Sequence, residues 1–295
     1  MVPEMLKGIM PALMTAFTDD GLDTDKIAAH VNRLGAAGVH GLYVGGSSGE
    51  MVLCAQNERK ELLECVMENR GNMTVIAHVG ALSTRDTTDL ARHAKAAGAH
   101  AVSSVTPLYY KYTFEQIKVY YQRIAEAAEL PVIIYNIPVI SGTTLTYDQL
   151  SELLSLPGIG GMKFTCSDFF QLNRLVRAFP DKVFYNGSDE MLCSGLAAGA
   201  HGGIGTTYNF MPRQILAIYN AFMAGDIAKA QAAQSLANDV IAEVLKYGAV
   251  PASKAMIGLG GLDYGICREP FLPLTDAQIE SLRENGWKLI AGIEK

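Results

Sequence analysis

Short apolar runs alternate with amphipathic segments from near the N-terminus to about residue 225. The apolar runs have the length of strands, and the amphipathic segments repeat their apolar positions at helical spacing. The predicted strands cover residues 9–15, 41–45, 74–78, 101–105, 132–136, 160–164, 183–186 and 202–205. The predicted helices cover residues 25–37, 55–69, 84–97, 113–128, 146–155, 169–179, 189–198 and 212–224. The pattern therefore predicts a series of βα units.

Residues typical of helix caps support these boundaries. Thr113 stands three residues before Gln116, and Thr146 stands three residues before Gln149, which is the spacing of a capping box. Several predicted helices end in a glycine that is followed by an apolar residue, at Gly38, Gly98 and Gly199. Glycine adopts the left-handed conformation that ends a helix, so we expect the chain to turn into the next strand at these points.

The number of strand signals separates two kinds of parallel sheet. Eight strands with eight helices predict a closed (β/α)₈ TIM barrel over residues 1–225. An open, doubly wound sheet of two nucleotide-binding halves is the alternative. Residues 226–295 are predicted to be helical at 226–246 and 276–291, with a glycine-rich turn at 258–261. No Ser/Pro-rich linker precedes them, so we expect a C-terminal helical extension packed on the barrel.

Composition limits the classes of partner. The 295 residues are 49% hydrophobic and 18% charged, which is typical of a well-packed soluble protein. The net charge is −6, and the chain has no run of Lys or Arg. Nucleic acid and anionic membranes are therefore not expected as partners. A site for an acidic metabolite must instead be built locally from backbone amides and hydroxyls.

The N-terminal segment and the cysteines indicate the compartment. The chain does not begin with a basic region followed by a long apolar run, and no apolar stretch approaches the ~18 residues that span a bilayer. The five cysteines form no C-x-x-C pair, so we expect free thiols in a reducing environment. These features predict a cytoplasmic protein.

Lys163 is the first candidate for chemistry, because the sites of such barrels lie at the carboxyl ends of the strands. It stands near the end of the sixth predicted strand, between Gly161 and Thr165. A lysine at a strand end commonly extends its ammonium group into solvent. In an apolar barrel mouth, however, the ammonium loses hydration, which favours the neutral amine that attacks a ketone to form an imine. Both interpretations stay open at this point.

Tyr135 is the second candidate and lies near the end of the fifth predicted strand. A tyrosine in this position is commonly a packing residue with its hydroxyl toward water. Because neighbouring strand ends converge on one mouth, we expect Tyr135 and Lys163 to share a site. There the phenol is suited to exchange protons with a lysine imine.

Three further strand ends carry small or polar residues. The segment GGSSGE at 45–50 is either a flexible turn or an anion site made of backbone amides and the hydroxyls of Ser47 and Ser48. The segment GGIGTT at 202–207 suits a phosphate or a sugar. Asp189 and Glu190 either stabilise a helix start or bind vicinal hydroxyls of a polyol. The six histidines do not cluster at metal-ligand spacing, so no metal site is expected.

Five segments together resemble the N-acetylneuraminate lyase / dihydrodipicolinate synthase superfamily. They are GLYVGGSSGE (41–50), YNIPVISG (135–142), GMKFTCSD (161–168), YNGSDE (185–190) and GGIGTTYN (202–209). The resemblance covers the whole chain in the same order and is greatest to the lyase branch. It implies a Schiff-base aldolase that acts on a 2-oxo acid, needs no cofactor and is typically a homotetramer. The activity it implies is the reversible cleavage of N-acetylneuraminate to N-acetylmannosamine and pyruvate.

The resemblance also implies a role for each matching position. Lys163 matches the Schiff-base lysine, and Tyr135 matches the tyrosine that moves protons. Ser47 and Ser48 match the pair that holds the carboxylate of the 2-oxo acid. The positions that match the binding site of the sugar's hydroxyl tail are Thr165, Gly187, Asp189, Glu190 and Thr206. Tyr109, with Tyr110 beside it, matches a residue that family members insert into the site of a neighbouring subunit.

Departures from the family pattern bear on the substrate. The synthases resemble one another in an arginine shortly after the Y-N-[VI]-P segment, where it holds a second carboxylate. Residues 139–142 lack it here, which argues against aspartate semialdehyde as the acceptor. The lyases usually have Ser-Thr where this chain has Ser47-Ser48, and serine is common where it has Thr206.

Other functions on the same scaffold are the alternatives. A synthase, a 2-keto-3-deoxy sugar acid aldolase or a dehydratase of the superfamily would share the lysine and the tyrosine. A non-catalytic metabolite-binding or regulatory protein is the alternative from another class. A nucleotide-dependent oxidoreductase would need a dinucleotide fingerprint, and the sequence has none.

Overall fold

Eight parallel strands form the centre of the molecule, in a computed structural model that describes residues 3–294. In chain order the strands β1–β8 are Gly8–Pro11, Gly41–Val44, Thr74–His78, Ala101–Val105, Val132–Asn136, Ile159–Phe164, Val183–Asn186 and Gly202–Gly205. Their order in the sheet is β1-β8-β7-β6-β5-β4-β3-β2. Ala12 forms a parallel bridge with Tyr43, and the Leu13 N–H donates to the Tyr43 carbonyl at 2.8 Å, so the two edges meet. The predicted (β/α)₈ barrel is confirmed.

Helices connect and surround the strands. Those of the barrel, α1–α9, are Thr24–Ala37, Gln56–Asn69, Thr84–Ala96, Phe114–Ala128, Pro138–Ser141, Tyr147–Leu154, Phe169–Ala178, Leu192–Ala197 and Pro212–Met223. Those of the extension, α10–α13, are Ile227–Leu245, Ala249–Leu259, Asp276–Leu282 and Lys288–Ile290, with a π-helical turn at Arg283–Trp287 before the last. No helix within residues 3–294 combines the length and the hydropathy needed to cross a membrane.

The cap signals of the sequence are confirmed. Thr113 and Thr146 each accept a hydrogen bond from the N–H of the glutamine three residues later, and each glutamine side chain accepts from the threonine N–H in return. The glycines that follow α1, α3 and α8 have φ values of 88° at Gly38, 85° at Gly98 and 104° at Gly199. These local signals therefore set where several helices begin and end.

Alternate strand positions divide the buried side chains into two clusters. Tyr135 and Tyr185 belong to the cluster inside the barrel, whereas Met162 and Phe164 pack between the barrel and its helices. Lys163 is paired in register with Tyr135 on one side and Tyr185 on the other. Because residues in register on adjacent strands point to the same face, Lys163 is directed into the barrel.

Some elements differ from those predicted. β1 ends at Pro11 rather than at residue 15. Ala12 and Leu13 still bond to Gly205 and Tyr43 at the strand ends, but the Met14 N–H leaves the sheet and donates to the Asn209 side chain at 3.2 Å. Helix α11 was not predicted, since its sequence contains Pro251, which is accommodated in the first helical turn. The predicted helix at 189–198 begins as a 3₁₀ turn at Asp189–Met191 before α8.

The extension contacts the barrel through named polar bonds as well as through apolar packing. The Tyr264 hydroxyl donates to the Met14 carbonyl at 2.9 Å. The Glu294 carboxylate accepts the N–H groups of Arg213 at 3.2 Å and Gln214 at 2.8 Å, at the start of α9. The expected packing of the tail on the barrel agrees with these contacts, and the division into two domains at residue 225 stays a prediction.

Two glycines provide a matched test of this packing. A Cβ added at Gly161, inside the barrel, would lie 2.0 Å from the Val183 carbonyl oxygen, whereas one added at Gly258 in α11 meets no described atom within 4 Å. We expect Gly161→Ala to lower the free energy of unfolding by about 2 kcal/mol through overpacking. Gly258→Ala should raise it by about 0.5 kcal/mol through helix propensity. Denaturant melts measure both, and equal effects at the two positions would contradict the barrel geometry.

Candidate active site

The amine of Lys163 lies among aromatic rings at the carboxyl end of the barrel. Its Nζ atom is 4.1 Å from the centre of the Tyr135 ring and 4.8 Å from that of the Tyr43 ring. The lysine is 4% exposed. No carboxylate of residues 3–294 lies within 4.0 Å of this nitrogen, so the amine is surrounded by aromatic faces rather than by a counter-ion. The structure therefore brings together the two residues that the sequence singled out for catalysis.

Tyr43 and His78 pack against the ring of Tyr135. The Tyr43 hydroxyl donates to Ser103 Oγ at 3.0 Å, and burial, followed by the neighbouring Tyr135, raises the pKa of this phenol well above its ordinary value. The rings of Tyr43 and His78 both contact Tyr135 edge-on, with centroids 6.0 and 6.3 Å away. Tyr43 was missed as a site residue, although alternation along β2 would have directed it inward as it does Lys163 on β6.

His78 is held in its neutral form. Burial lowers its pKa well below the ordinary value, and the charges of Arg59 and Lys163 lower it further. Its Nε2 atom accepts the Val105 N–H at 3.2 Å and therefore carries no proton. His78 lies buried at the end of β3, as a packing group beside Tyr135.

The loop after β2 forms one wall of the mouth. Ser47–Gly49 is a 3₁₀ turn in which Ser48 is buried and Ser47 is partly exposed. Ser48 Oγ lies 2.6 Å from Thr206 Oγ1, at the end of β8. A Cβ at Gly46 would lie 2.6 Å from the Tyr43 ring, so this glycine allows the turn to approach the barrel interior. Two of the predicted substrate-binding hydroxyls are thus brought together.

Thr165 and Gly187 meet directly above the lysine. A Cβ at Gly187 would lie 1.8 Å from Thr165 Oγ1 and 3.2 Å from Lys163 Cε, which shows how closely the chain after β7 passes over the amine. The buried Thr165 Oγ1 has no hydrogen-bond partner within the described part of the chain. A buried hydroxyl of this kind is a ready partner for a polar ligand atom.

Asp189 is a buried acid beside these residues. Its Oδ2 atom accepts the Thr207 N–H at 2.8 Å and the Thr207 hydroxyl at 2.7 Å. Burial raises its pKa from 3.8 to about 6, although the two bonds from Thr207 and the charge of Lys163 act in the opposite direction. Glu190, the next residue, is exposed. The two carboxylates of the predicted pair therefore lie in different environments.

Tyr109 is not brought to this mouth within a single chain. It is 87% exposed, its φ is 78°, and its ring contacts that of Tyr110 with centroids 5.0 Å apart. The role that the sequence predicts for it requires a second subunit. No group of three or more His, Cys, Asp or Glu side chains that could hold a metal ion is found within residues 3–294.

Comparison with known proteins places the chain in an evolutionary context. The model of the dihydrodipicolinate synthetase family matches residues 5–285. The N-acetylneuraminate lyase of Citrobacter koseri is 43% identical over 282 residues, which are 94% of this chain and 95% of that protein. The N-acetylneuraminate lyase of Rhizobium meliloti is 44% identical, over 95% of this chain and 94% of that protein.

Solved structures are also similar to this chain over nearly its whole length. A catalytic lysine mutant of the Ruminococcus gnavus sialic acid aldolase is similar with a TM-score of 0.95 at 30% identity, over 100% of this chain and 99% of that one. The Clostridium difficile protein CdNal, in complex with mannosamine, has a TM-score of 0.92 at 32% identity, over 96% of this chain and 99% of that one.

The raised pKa of Asp189 predicts a pH-dependent cost to stability. The folded state binds the proton more tightly than the unfolded state, so the cost is absent below pH 4 and complete above about pH 6. At neutral pH it amounts to about 3 kcal/mol at most. We expect Asp189→Asn to become progressively more stable than the parent protein between pH 4 and pH 7, as measured by denaturant melts.

Glu58 is the control of opposite sign. The bonds from Arg268 lower the pKa of the Glu58 carboxyl, so its stabilising contribution is present above its unfolded pKa and is lost as the pH falls through the folded one. Glu58→Gln should therefore lose stability relative to the parent as the pH rises towards 5. The same trend in both variants would contradict the assignment for Asp189.

Proposed function

The chain belongs to the dihydrodipicolinate synthetase family, and on that premise we propose that it is a carbon–carbon lyase that cleaves N-acetylneuraminate reversibly to N-acetylmannosamine and pyruvate. The observation that carries the proposal is the buried amine of Lys163, 4.1 Å from the ring of Tyr135 at the mouth of the barrel. The sugar is inferred from relatives that bear the name N-acetylneuraminate lyase and match nearly the whole chain.

Lys163 is proposed as the nucleophile. In its neutral form the amine attacks the keto carbon of the open-chain sugar acid, and uptake of a proton with loss of water gives an iminium ion. The iminium accepts the electrons of the bond between its α and β carbons, so the lysine supplies the electron sink itself. The aromatic rings of Tyr43 and Tyr135 exclude water from this centre, which limits premature hydrolysis of the imine.

Tyr135 is proposed as the group that moves protons. It removes the proton from the hydroxyl on the β carbon, at the far end of the bond to be broken, and the electrons of that bond pass to the iminium as this carbon becomes the aldehyde. The products of this step are the aldehyde N-acetylmannosamine and an enamine of pyruvate on Lys163. Protonation of the enamine carbon and hydrolysis by water then release pyruvate and restore the amine.

The remaining site residues are proposed to bind the two ends of the substrate. Ser47 and Ser48, with the backbone amides of their turn, hold the carboxylate. The groups proposed for the hydroxyl tail are Thr165, Gly187, Asp189, Glu190 and Thr206, of which Gly187 lies close to Lys163 and Thr165, and Thr206 contacts Ser48. The unpartnered hydroxyl of Thr165 and the partly protonated carboxyl of Asp189 support this assignment, because each can donate to or accept from a sugar hydroxyl.

The segment after β5 supports a sugar rather than a second carboxylate at the far end of the substrate. Val139 and Ile140 occupy this segment in helix α5 and are 87% and 62% exposed. These apolar side chains supply no cation for the second carboxylate of aspartate semialdehyde. A synthase activity is therefore not proposed.

We also propose that the protein is a homotetramer in the cytoplasm. The exposed Tyr109 and Tyr110 support an assembly, because large aromatic side chains are enriched at protein interfaces. The five cysteines are free thiols, which accords with a reducing compartment.

Covalent trapping tests the nucleophile. Borohydride reduction in the presence of pyruvate is expected to modify Lys163 and no other lysine, because only this amine lies in the proposed imine site. Lys163→Ala should retain the melting temperature of the parent within a few degrees and lose turnover of N-acetylneuraminate by about 10⁴-fold or more. Peptide mass mapping and a pyruvate-release assay measure these effects, and trapping at another lysine would refute the mechanism.

Substitution of Tyr109 tests the contribution of a second subunit. Tyr109→Ala should lower kcat/KM by about tenfold or more, because the proposed tetramer inserts this side chain into a neighbouring site. Val52→Ala, which removes another exposed side chain, is the control and should leave kcat/KM unchanged. Light scattering reports the assembly state, and a monomeric protein with unaltered activity would exclude the shared site.

A further inference from the structure

Lys254 lies in the C-terminal extension, far along the chain from the residues proposed to bind substrate, yet it contacts the loop that carries two of them. We infer that its buried ion pair with Glu50 positions the Ser47–Gly49 turn and thereby sets the affinity for the carboxylate of the 2-oxo acid. Lys254 is on this account a positioning residue, and the inference rests on the proposed function of that turn.

The ion pair is completely enclosed. Lys254 Nζ lies 2.7 Å from Glu50 Oε1, and the two side chains are 1% and 0% exposed. The same nitrogen donates to the Ile266 carbonyl at 2.9 Å and lies 4.5 Å from the centre of the Phe17 ring. Two charges at this depth lose most of their hydration, so the pair persists only because each charge compensates the other.

Two groups of the extension converge on one carboxylate of the barrel, that of Glu50. Besides Lys254, the Arg268 N–H donates to Glu50 Oε2 at 2.8 Å. The Arg268 side chain also binds the Leu53 carbonyl at 3.0 Å and the carboxylate of Glu58. The extension therefore holds the segment that begins at Glu50 from several directions, and Glu50 is the point of attachment closest to the two serines.

The backbone of Glu50 connects this attachment to the turn. Glu50 directly follows the Ser47–Gly49 turn, and its N–H donates to the Ser47 carbonyl at 3.1 Å. Its φ is 58°, a left-handed conformation that glycine adopts at less cost. A glutamate in this position requires compensation, and its side-chain contacts to the extension supply it. Loss of the ion pair releases the constraint on the residue that closes the turn.

Charge gives Lys254 a second effect on the same site. Glu50 carries a negative charge two residues from Ser48, where the carboxylate of the substrate is proposed to bind. Lys254 compensates this charge, and without it an uncompensated buried anion would remain beside the turn that is proposed to bind the substrate carboxylate. Both effects concern the binding of the ligand's carboxylate. We expect neither to change the reaction at the amine of Lys163.

The test compares two variants of the full chain with two ligands. Lys254→Met removes the buried cation, and Lys288→Met, which removes an exposed ion pair with Glu284 in the same extension, is the matched control. Pyruvate reports on the carboxylate subsite. Pyruvamide, in which an amide replaces the carboxylate, reports on imine formation without it. Each ligand is titrated in borohydride trapping, and the half-saturating concentration is read from the fraction of protein modified at Lys163.

We expect Lys254→Met to raise the half-saturating concentration of pyruvate about tenfold and that of pyruvamide less than about twofold. The KM for N-acetylneuraminate should rise with the value for pyruvate while kcat changes little. Lys288→Met should leave all of these values unchanged. A role confined to stability would weaken both ligands equally, so the ratio between them is the decisive readout.

A double variant covers the case in which Lys254→Met does not fold. Glu50→Gln with Lys254→Met keeps the volume of the pair and removes both charges, which preserves folding better than removal of one charge. The unequal effect on the two ligands should persist in it at about two- to fivefold, because the turn still lacks its ion pair. Equal weakening of both ligands in the variants that fold, or an effect no larger than that of Lys288→Met, overturns the inference. The parent protein is trapped with pyruvate first. If it is not modified at Lys163, the proposed function fails rather than this inference.

Discussion

The inward direction of Lys163 is the constraint on which the rest of the site depends. Closure of the eight-stranded sheet leaves each strand with one face toward the interior, and the register of β5, β6 and β7 places Lys163 between Tyr135 and Tyr185. A shift of β6 by one residue would turn the lysine out of the barrel and bring Met162 or Phe164 in. The same constraint explains the glycines at 161, 187 and 205. A Cβ atom would collide with the Val183 carbonyl oxygen at the first position, with Thr165 at the second and with Asp189 at the third.

Individual groups at the barrel mouth, rather than the net charge of the protein, determine the electrostatics of the site. The chain carries a net charge of −6, yet it is proposed to bind an anion, and it offers hydroxyls and amides for this purpose instead of a positive field. Burial acts on the titratable groups in opposite directions: it lowers the pKa of His78 and raises that of Asp189. Both shifts favour neutral groups beside the lysine. Divergent environments of this kind are how a single site separates acid, base and structural roles.

The sequence predicted the fold, and it predicted that Lys163 and Tyr135 lie together, because both depend on periodic or local signals. The eight strands, the capping boxes at Thr113 and Thr146 and the pairing of Lys163 with Tyr135 all follow from such patterns. Helix α11 was missed because it is apolar on most sides and contains a proline, and only its packing between the barrel and the rest of the extension explains it. Tyr43 was missed because its importance comes from a contact with Lys163 across the barrel, which is a long-range pairing. The substrate roles of the individual loops stay predictions.

Backbone strain distinguishes the functional loops from ordinary turns. Within residues 3–294, three non-glycine residues have a positive φ: Glu50, Tyr109 and Glu129. Glu129 ends helix α4, where a left-handed residue is common and serves to stop the helix. Glu50 and Tyr109 lie in loops after β2 and β4, and each costs about 1–2 kcal/mol relative to a right-handed residue. Glycine would remove that cost, so we infer that the side chains of Glu50 and Tyr109 have roles that offset it. For Glu50 the reason is visible in its contacts with Lys254 and Arg268. The Tyr109 side chain is 87% exposed and its ring contacts that of Tyr110, and the contact with a second subunit that we propose for it would give this side chain a role of its own.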